Sequence, residues 1–169
     1  MVITVEQAAY QSHWSRQDYT RELEQPNLAQ NYLLTMNNKI IGVGGFWALA
    51  DEAHITTVSI NPTWQGQQLG DWLLFYLLSQ ARYSSLRLAT LEIRASNHRA
   101  MRLYQKYQFN IVGERPKYYP DGEMALILTT PPINTPDYQT FMQNRGCIIK
   151  QQLAKKYSTG ELYHEQPIF

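Results

Sequence analysis

Residues 64–71, Trp-Gln-Gly-Gln-Gln-Leu-Gly-Asp, constrain this chain more than any other segment. They follow a strand-like apolar run at 55–60, which Asn61-Pro62 closes, and they open a segment whose apolar residues have helical spacing. A glycine-bearing turn between a strand and a helix presents several backbone N–H groups at the positive end of the helix dipole. The segment therefore predicts a binding site for phosphate oxygens.

Two common phosphate-binding patterns are absent from this segment. No Gly-Lys-Ser/Thr closes it, as a P-loop requires. Nor is it a Gly-x-Gly-x-x-Gly turn with an acidic residue ~20 positions further on, as a dinucleotide-binding fold has. The identity of the ligand therefore has to be inferred from residues further along the chain.

Composition limits the partners and the compartment. A length of 169 residues fits one domain, and a net charge of +1 gives no basic footprint for nucleic acid. No apolar run approaches the ~20 residues of a membrane span, and the N-terminus lacks a secretory signal pattern. The single cysteine, Cys147, suits a reducing compartment. We expect a cytoplasmic protein, a monomer or weak homodimer, that binds neither nucleic acid nor a membrane.

Alternating strand and helix signals predict an α/β or α+β domain around one mixed sheet. Strands are expected at 2–5, 32–36, 39–48, 54–60, 88–95, 111–114 and 124–128. The turns between the second, third and fourth of these are expected at Asn37-Asn38 and Asp51-Glu52.

Three helices are expected within the domain, at 15–23, after the glycine turn, and after Ser96 or Asn97. The core-facing positions of the second helix are expected to be 69, 72, 73, 76, 77 and 81. Beyond residue 130 the composition turns polar, which predicts a domain at 1–130 and an extension at 131–169 with a helix between 148 and 157.

Glu92 and Tyr104 each allow two interpretations. Glu92 stands mid-strand, where glutamate is disfavoured; it either shares a polar face with Thr90 and Arg94 or is a general base in a partly desolvated cleft. Tyr104 lies on the apolar face of the helix after Asn97, so it either packs in the core or acts as a general acid. The four histidines show no ligand spacing, and we expect no metal.

Four segments, taken in order, resemble the GNAT acyltransferases and, within them, the RimI branch of ribosomal-protein-alanine N-acetyltransferases. The segments are ITTVSINP at 55–62, QGQQLG at 65–70, LEIRASN at 91–97 and LYQKYQF at 103–109. The resemblance runs from about Trp14 to Leu128, and residues 92–97 are its most specific part. It implies the GNAT fold, a mostly antiparallel sheet flanked by helices and splayed at the acetyl-CoA site, and transfer of acetyl from acetyl-CoA to an amine.

The resemblance also assigns binding roles. The cofactor-binding residues that it implies are Val58, Ser59, Ile60, Gln65, Gly66, Gln67, Gln68, Leu69, Gly70, Asp71 and Asn97. Residues 65–70 would hold the diphosphate of coenzyme A through backbone amides, while 58–60 would pair with the pantetheine arm and offer an amide to the thioester oxygen. The residues that would line the peptide groove are Trp14, Tyr118 and Tyr119.

By the same resemblance, Glu92 matches the general base and Tyr104 the general acid. An α-amino group has a reference pKa of about 7.7–8.0, against about 10.4 for lysine, so a carboxylate can deprotonate a peptide N-terminus at modest cost. Cys147 lies outside the motifs, which favours direct transfer without a covalent intermediate.

The sequence departs from the family pattern at two glycine positions and at its start. Gln68 and Gln108 stand where the family usually has glycine, and a left-handed backbone there costs a side chain about 1 kcal/mol. The change at Gln68 bears on cofactor affinity, and the change at Gln108 bears on stability. Only 13 residues precede Trp14, so the first family strand is expected to be abbreviated or missing.

These observations predict an acetyl-CoA-dependent N-acetyltransferase that acts on a protein N-terminal α-amino group. The first candidate acceptor is the N-terminal alanine of a small-subunit ribosomal protein. Two alternatives stay open: a small-amine or lysine acetyltransferase, and a non-catalytic acyl-CoA-binding module, for which Gln68 is the best argument. Retention of Glu92 and Tyr104 speaks against the binding module.

Overall fold

The computed structural model describes residues 28–157 and 166–167. The strand expected at 2–5, the helix expected at 15–23 and Trp14 lie outside these residues. The strands are β1 (Ala29–Met36), β2 (Lys39–Leu49), β3 (Glu52–Ile60), β4 (Leu88–Arg94), β5 (Asn110–Arg115), β6 (Ala125–Thr129) and β7 (Gln166–Pro167). The helices are α1 (Leu69–Tyr83), α2 (His98–Gln105) and α3 (Pro136–Ala154), with a short 3-10 turn at Pro62–Trp64 before α1.

The strands form one sheet in the order β5-β6-β4-β3-β2-β1-β7. Among the described strands, every neighbouring pair is antiparallel except β3 and β4. The prediction of a mixed, mostly antiparallel sheet flanked by helices is therefore confirmed.

The tight turns follow from residues that tolerate a left-handed backbone. Asn37 and Asn38, with φ of 49° and 60°, join β1 to β2 as predicted. Asparagine suits this turn because its short polar side chain tolerates positive φ. The next turn lies at Ala50 and Asp51, one residue earlier than expected, because β3 already begins at Glu52.

The parallel pair β3–β4 is short, and the two strands part beyond it. Their ladder covers three residue pairs and ends where His54 faces Thr90. β3 stays paired with β2 as far as Ile60, and β4 stays paired with β6 as far as Arg94. The sheet therefore opens between residues 55–60 and residues 91–94, and this opening is called the cleft below. It is the splayed centre that the resemblance implied.

Helix α1 packs on β2 and β3, and one side of it is deeply buried. Its fully buried leucines are Leu69, Leu73, Leu74, Leu77 and Leu78. Gly44 of β2 allows this approach, because a Cβ there would lie 3.0 Å from the side chains of Leu73 and Leu77. The predicted stripe included Trp72 and Tyr76, which are only half-buried. The helix is covered by both the sheet and α3, so its buried surface is wider than one stripe.

The C-terminal helix α3 is longer and begins earlier than expected. Thr135 caps it by accepting a hydrogen bond from the N–H of Tyr138, and Pro136 occupies the first turn. Its buried face consists of Tyr138, Met142, Gly146, Ile149 and Leu153. A polar overall composition hid this face in the sequence, although Thr-Pro-Asp at 135–137 carried the start signal. Within the described residues, no helix has the length and apolarity needed to cross a membrane.

Candidate active site

The predicted phosphate-binding turn, residues 65–70, has a left-handed backbone at two positions. Gly66 has a φ of 75° and Gln68 a φ of 67°. A Cβ at Gly66 would meet nothing within 4 Å, so this residue borders open space. Helix α1 begins at Leu69, which places its first N–H groups and its positive dipole end at the turn. This arrangement fits an anion such as a diphosphate.

The glutamine side chains of the turn hold its backbone in place. Gln65 donates through Nε2 to the carbonyl of Ile60 at 2.9 Å and accepts from Arg99 at 2.7 Å. Gln67 accepts a hydrogen bond from the phenol of Tyr157 at 2.5 Å. The turn is thus tied to the end of β3, to α2 and to the residues after α3.

Gln68 adopts the left-handed conformation in which a glycine is usual, as the sequence comparison anticipated. This conformation costs a residue with a side chain roughly 1 kcal/mol or more. Its side-chain oxygen is also buried with no hydrogen-bond partner among the described residues.

The carboxylate of Asp71 faces the interior of the protein. It is 4% exposed, pairs with Lys106 at 2.8 Å and with Arg145, and accepts from the Tyr107 hydroxyl at 2.5 Å. Burial raises the pKa of this carboxyl, but hydrogen bonds from Lys106, Tyr107 and Arg145 outweigh it and hold the pKa below its usual value. The contribution of Asp71 to cofactor binding stays a prediction, and because its carboxylate is already paired, this contribution would come from its main-chain N–H.

The remaining predicted cofactor residues border the cleft or the start of α2. Val58, Ser59 and Ile60 form the last part of β3, beyond the point where β4 parts from it. Ser59 is fully buried, and its hydroxyl has no hydrogen-bond partner among the described residues. Asn97 caps α2 by accepting from the N–H of Ala100 at 3.0 Å. A bond from Asn97 to a ligand would use its amide nitrogen or the second lone pair of its oxygen.

Glu92 lies in the wall of the cleft, two residues beyond the last β3–β4 pair. Its side chain is 11% exposed, with one oxygen 3.1 Å from Nε2 of His54 and the other 3.3 Å from Arg115. Trp47 stacks on the His54 ring with 6.1 Å between centroids. A carboxylate fixed in a partly desolvated cleft can accept a proton from an amine, directly or through water.

His54 and Arg115 were not predicted as site residues. His54 of β3 is paired with Thr90 of β4. Glu92 is the next residue of β4 that lies on the same face of the sheet as Thr90, so its side chain is a neighbour of His54. The alternation of strand residues was visible in the sequence, but the alignment of β3 with β4 was not. No group of three or more His, Cys, Asp or Glu side chains in the described part of the chain is arranged to hold a metal ion.

Tyr104 of α2 is 8% exposed and meets the ring of Phe109 edge-on, with 5.5 Å between centroids. This environment is typical of an aromatic residue in the core. A buried phenol with its oxygen near a cleft can also donate a proton. The role of Tyr104 as a general acid therefore stays a prediction.

Tyr118 and Tyr119 belong to a loop that β4 holds in place. Their rings pack edge to face at 5.1 Å, and the guanidinium of Arg94 lies 4.0 Å from the centroid of Tyr119. Arg94 also pairs with Asp121 and Glu123, each at 2.7 Å. Arg115 lies 3.3 Å from Glu92 and 5.6 Å from the ring centroid of Tyr118. The predicted base and one predicted groove residue therefore contact the same arginine.

Several known proteins are similar to this chain. The family model described as "Acetyltransferase (GNAT) family" matches residues 1–109. The ribosomal protein bS18-alanine N-acetyltransferase of Escherichia coli K12 is 33% identical over 130 residues, which are 75% of this chain and 86% of that protein. A crystal structure of the ribosomal-protein-S18-alanine N-acetyltransferase from Escherichia coli has a TM-score of 0.72 and 32% identity, covering 78% of this chain and 85% of that one. A GNAT family acetyltransferase from Elizabethkingia anophelis, solved with acetyl-CoA bound, shares the fold at a TM-score of 0.67 and 20% identity, covering 78% of this chain and 90% of that one.

Proposed function

We propose that this chain, which belongs to the GNAT acetyltransferase family and is an acetyl-CoA-dependent N-acetyltransferase, acetylates the α-amino group of a protein N-terminus. The favoured acceptor is the N-terminal alanine of a small-subunit ribosomal protein, since the Escherichia coli relative is named for ribosomal protein bS18. The observation that carries the proposal is the position of Glu92, a fixed carboxylate in the cleft just beyond the point where β3 and β4 part.

The turn and the cleft together suit acetyl-CoA as a substrate. The backbone amides of residues 65–70 would bind the diphosphate, because Gly66 borders open space and α1 begins there. The pantetheine arm would lie along residues 58–60 in the cleft, and an amide of that strand would stabilise the thioester oxygen. Asn97 would bond the arm from the opposite side.

Glu92 would take the proton of the attacking amine, directly or through a water molecule. The amine nitrogen attacks the thioester carbon, a C–N bond forms, the C–S bond breaks, and the leaving thiolate of coenzyme A takes a proton from Tyr104. Arg115 and His54 would hold the Glu92 carboxylate in one orientation during this step, since each contacts a different oxygen.

The acceptor can be tested with three substrates of matched charge. The first is a peptide that begins with alanine and contains no lysine; the second carries one lysine and a blocked N-terminus; the third is spermidine. We expect the first to be acetylated once, at its N-terminus, with a kcat/KM at least about 10²-fold above the other two. Product mass and release of coenzyme A provide the two readouts.

A preference for spermidine or for the lysine peptide would overturn the proposed acceptor and favour the corresponding alternative. A peptide of the same sequence with glutamate in place of the N-terminal alanine serves as the matched control for the first position. Equal rates with both peptides would remove alanine as the specific target while leaving the α-amino group as acceptor.

A further inference from the structure

Helix α3 and the residues that follow it contact the phosphate-binding turn and the residue directly after it. Arg145, in the middle of α3, pairs with Asp71, which lies directly after the turn. Tyr157, beyond the end of α3, donates its hydroxyl to Gln67 inside the turn at 2.5 Å. Both residues lie beyond the family match, which ends at residue 109.

Close packing fixes the position of α3 against α1. A Cβ at Gly146 would lie 2.8 Å from the ring of Phe75, so the two helices approach as closely as glycine allows. The hydroxyl of Tyr138 donates to the carbonyl of Tyr107 at 2.9 Å and anchors the start of α3 near the end of α2. Arg145 is therefore presented to Asp71 by a helix that packs closely against α1.

The charges around Asp71 favour an anionic ligand. A lone carboxylate in the first turn of α1 would repel a diphosphate bound at the same helix end. Lys106 and Arg145 both pair with this carboxylate, so the group of three side chains carries a surplus of positive charge. Arg145 and Lys106 thereby offset the negative charge of Asp71 in the first turn of α1.

The same contacts enclose the strained part of the turn. Gln68, with its left-handed backbone, lies between Gln67, which Tyr157 holds, and Asp71, which Arg145 holds. A loop that is ordered before the ligand arrives loses less conformational entropy on binding. Anchors on both sides of Gln68 would therefore increase affinity for the ligand.

We propose that Arg145 and Tyr157 are positioning residues of the acetyl-CoA site, which hold residues 65–71 in the conformation that binds the diphosphate. The inference rests on the proposed function, because it requires that this turn binds coenzyme A. It makes the C-terminal segment part of the coenzyme site, although neither residue touches the reacting atoms.

The test compares acetyl-CoA with S-acetylpantetheine, which keeps the thioester and lacks the diphosphate. Tyr157→Phe should weaken coenzyme A binding about 3- to 10-fold, as expected for one lost hydrogen bond. Arg145→Met should weaken it about tenfold or more, and Arg145→Lys should recover part of the loss. The kcat at saturating acetyl-CoA and the kcat/KM for S-acetylpantetheine should stay within about twofold of the parent values.

Thr140→Val is the matched control, because it also removes one side-chain hydrogen bond of α3, from the exposed Thr140 hydroxyl to the carbonyl of Pro136, without touching the turn or the anchors of the helix. It should leave coenzyme A binding unchanged. Equal losses with both acetyl donors, or an equal loss of binding in Thr140→Val, would indicate a general effect on the fold and overturn the inference. If Arg145→Met fails to fold, Tyr157→Phe decides the question alone.

Calorimetry of the parent protein with coenzyme A separates this inference from the proposed function. No heat would overturn both, because the turn would then bind no diphosphate. If the parent binds coenzyme A tightly and the variants Tyr157→Phe and Arg145→Lys bind it equally tightly, only the positioning role is overturned.

Discussion

Two carboxylates of the candidate site have cationic partners but differ in their access to solvent. Asp71 and its partner Arg145 are 4% and 16% exposed, so this pair is enclosed by the protein, while the second partner of Asp71, Lys106, is 48% exposed. Glu92 is 11% exposed, yet its partners His54 and Arg115 are 26% and 55% exposed. A carboxylate with solvent-accessible neighbours can pass a proton on to water, whereas an enclosed ion pair is suited to holding two helices together.

Glu92→Gln should lower kcat about 10²-fold or more at pH 7, because the amide cannot accept the proton of the amine. The deficit should shrink above about pH 8, where a growing fraction of the α-amine is already neutral. Coenzyme A binding should stay at the parent value. A pH–rate profile from 6 to 9 tests this, with Glu114→Gln, an exposed carboxylate of β5, as control. Equal rates across that range would remove Glu92 from the role of base.

Tyr104→Phe should slow transfer about 10²-fold or more if the phenol protonates the departing thiolate. The ring would keep its edge-on contact with Phe109, so the Tm should change little. Single-turnover kinetics with saturating acetyl-CoA measure the step itself. Full activity in this variant would assign Tyr104 to core packing alone.

Asp71→Asn should destabilise the protein by roughly 3 kcal/mol at pH 7, because the enclosed guanidinium of Arg145 loses its charged partner. The folded pKa of Asp71 is lowered, so its contribution is complete above the unfolded value of about 3.9 and is lost as pH falls through the folded value. The difference between parent and variant should therefore narrow below about pH 4. Urea unfolding at pH 7, 5, 4 and 3 measures it.

The control for this experiment is Asp137→Asn, an exposed aspartate in the first turn of α3. It should change the free energy of unfolding by less than about 1 kcal/mol, since it loses only an interaction with the helix dipole. A constant difference between parent and Asp71→Asn from pH 7 to 3 would contradict the structural role of the Asp71 carboxylate.

At the scale of elements, two helix ends carry a glutamine where the backbone is left-handed. Gln68 precedes α1 with a φ of 67°, and Gln108 follows α2 with a φ of 63°. Gln108→Gly should raise the free energy of unfolding by about 0.5–1 kcal/mol, because glycine adopts this conformation without steric cost. The corresponding rise in Tm is about 2–4 °C at most. Differential scanning calorimetry is the measurement.

Gln68→Gly is the matched change at the other helix. It should also remove a buried oxygen that has no partner among the described residues, and it should tighten coenzyme A binding if the side chain hinders the phosphate. Gln108→Gly should leave coenzyme A binding unchanged. A lower Tm in Gln108→Gly would mean that the glutamine side chain stabilises the end of α2.

At the scale of the whole molecule, α3 belongs to the same hydrophobic core as the sheet. Tyr138, Met142, Ile149 and Leu153 are all buried in the cluster that contains the leucines of α1. A chain that ends at Thr130 should therefore lose its cooperative unfolding transition, because it exposes one side of α1. A chain that ends at Tyr157 keeps α3 and is the control. Circular dichroism during urea unfolding tests both, and a cooperative transition in the shorter chain would contradict this expectation.

Much of the candidate site could be predicted because its signals are local. The turn at 65–70, the helix cap at Ser96 or Asn97 and the left-handed residues Gln68 and Gln108 depend on a few neighbouring residues, and the structure has the turn and the left-handed residues where they were expected and the cap at Asn97. The partners of these residues could not be predicted. The start of α3 was also missed, because its apolar face is spread over 16 residues, 138–153, of mostly polar sequence.

Between residues 29 and 129, the sequence by itself determined the order of strands and helices, the hairpin turn at Asn37-Asn38 and the glycine turn before α1, since these follow from backbone preferences and short-range hydrogen bonds. Only the tertiary structure decided that His54 meets Glu92, which depends on the alignment of β3 with β4. It also decided that Arg145 meets Asp71, 74 residues away along the chain. Such contacts depend on how distant elements pack, and no short stretch of sequence contains that information.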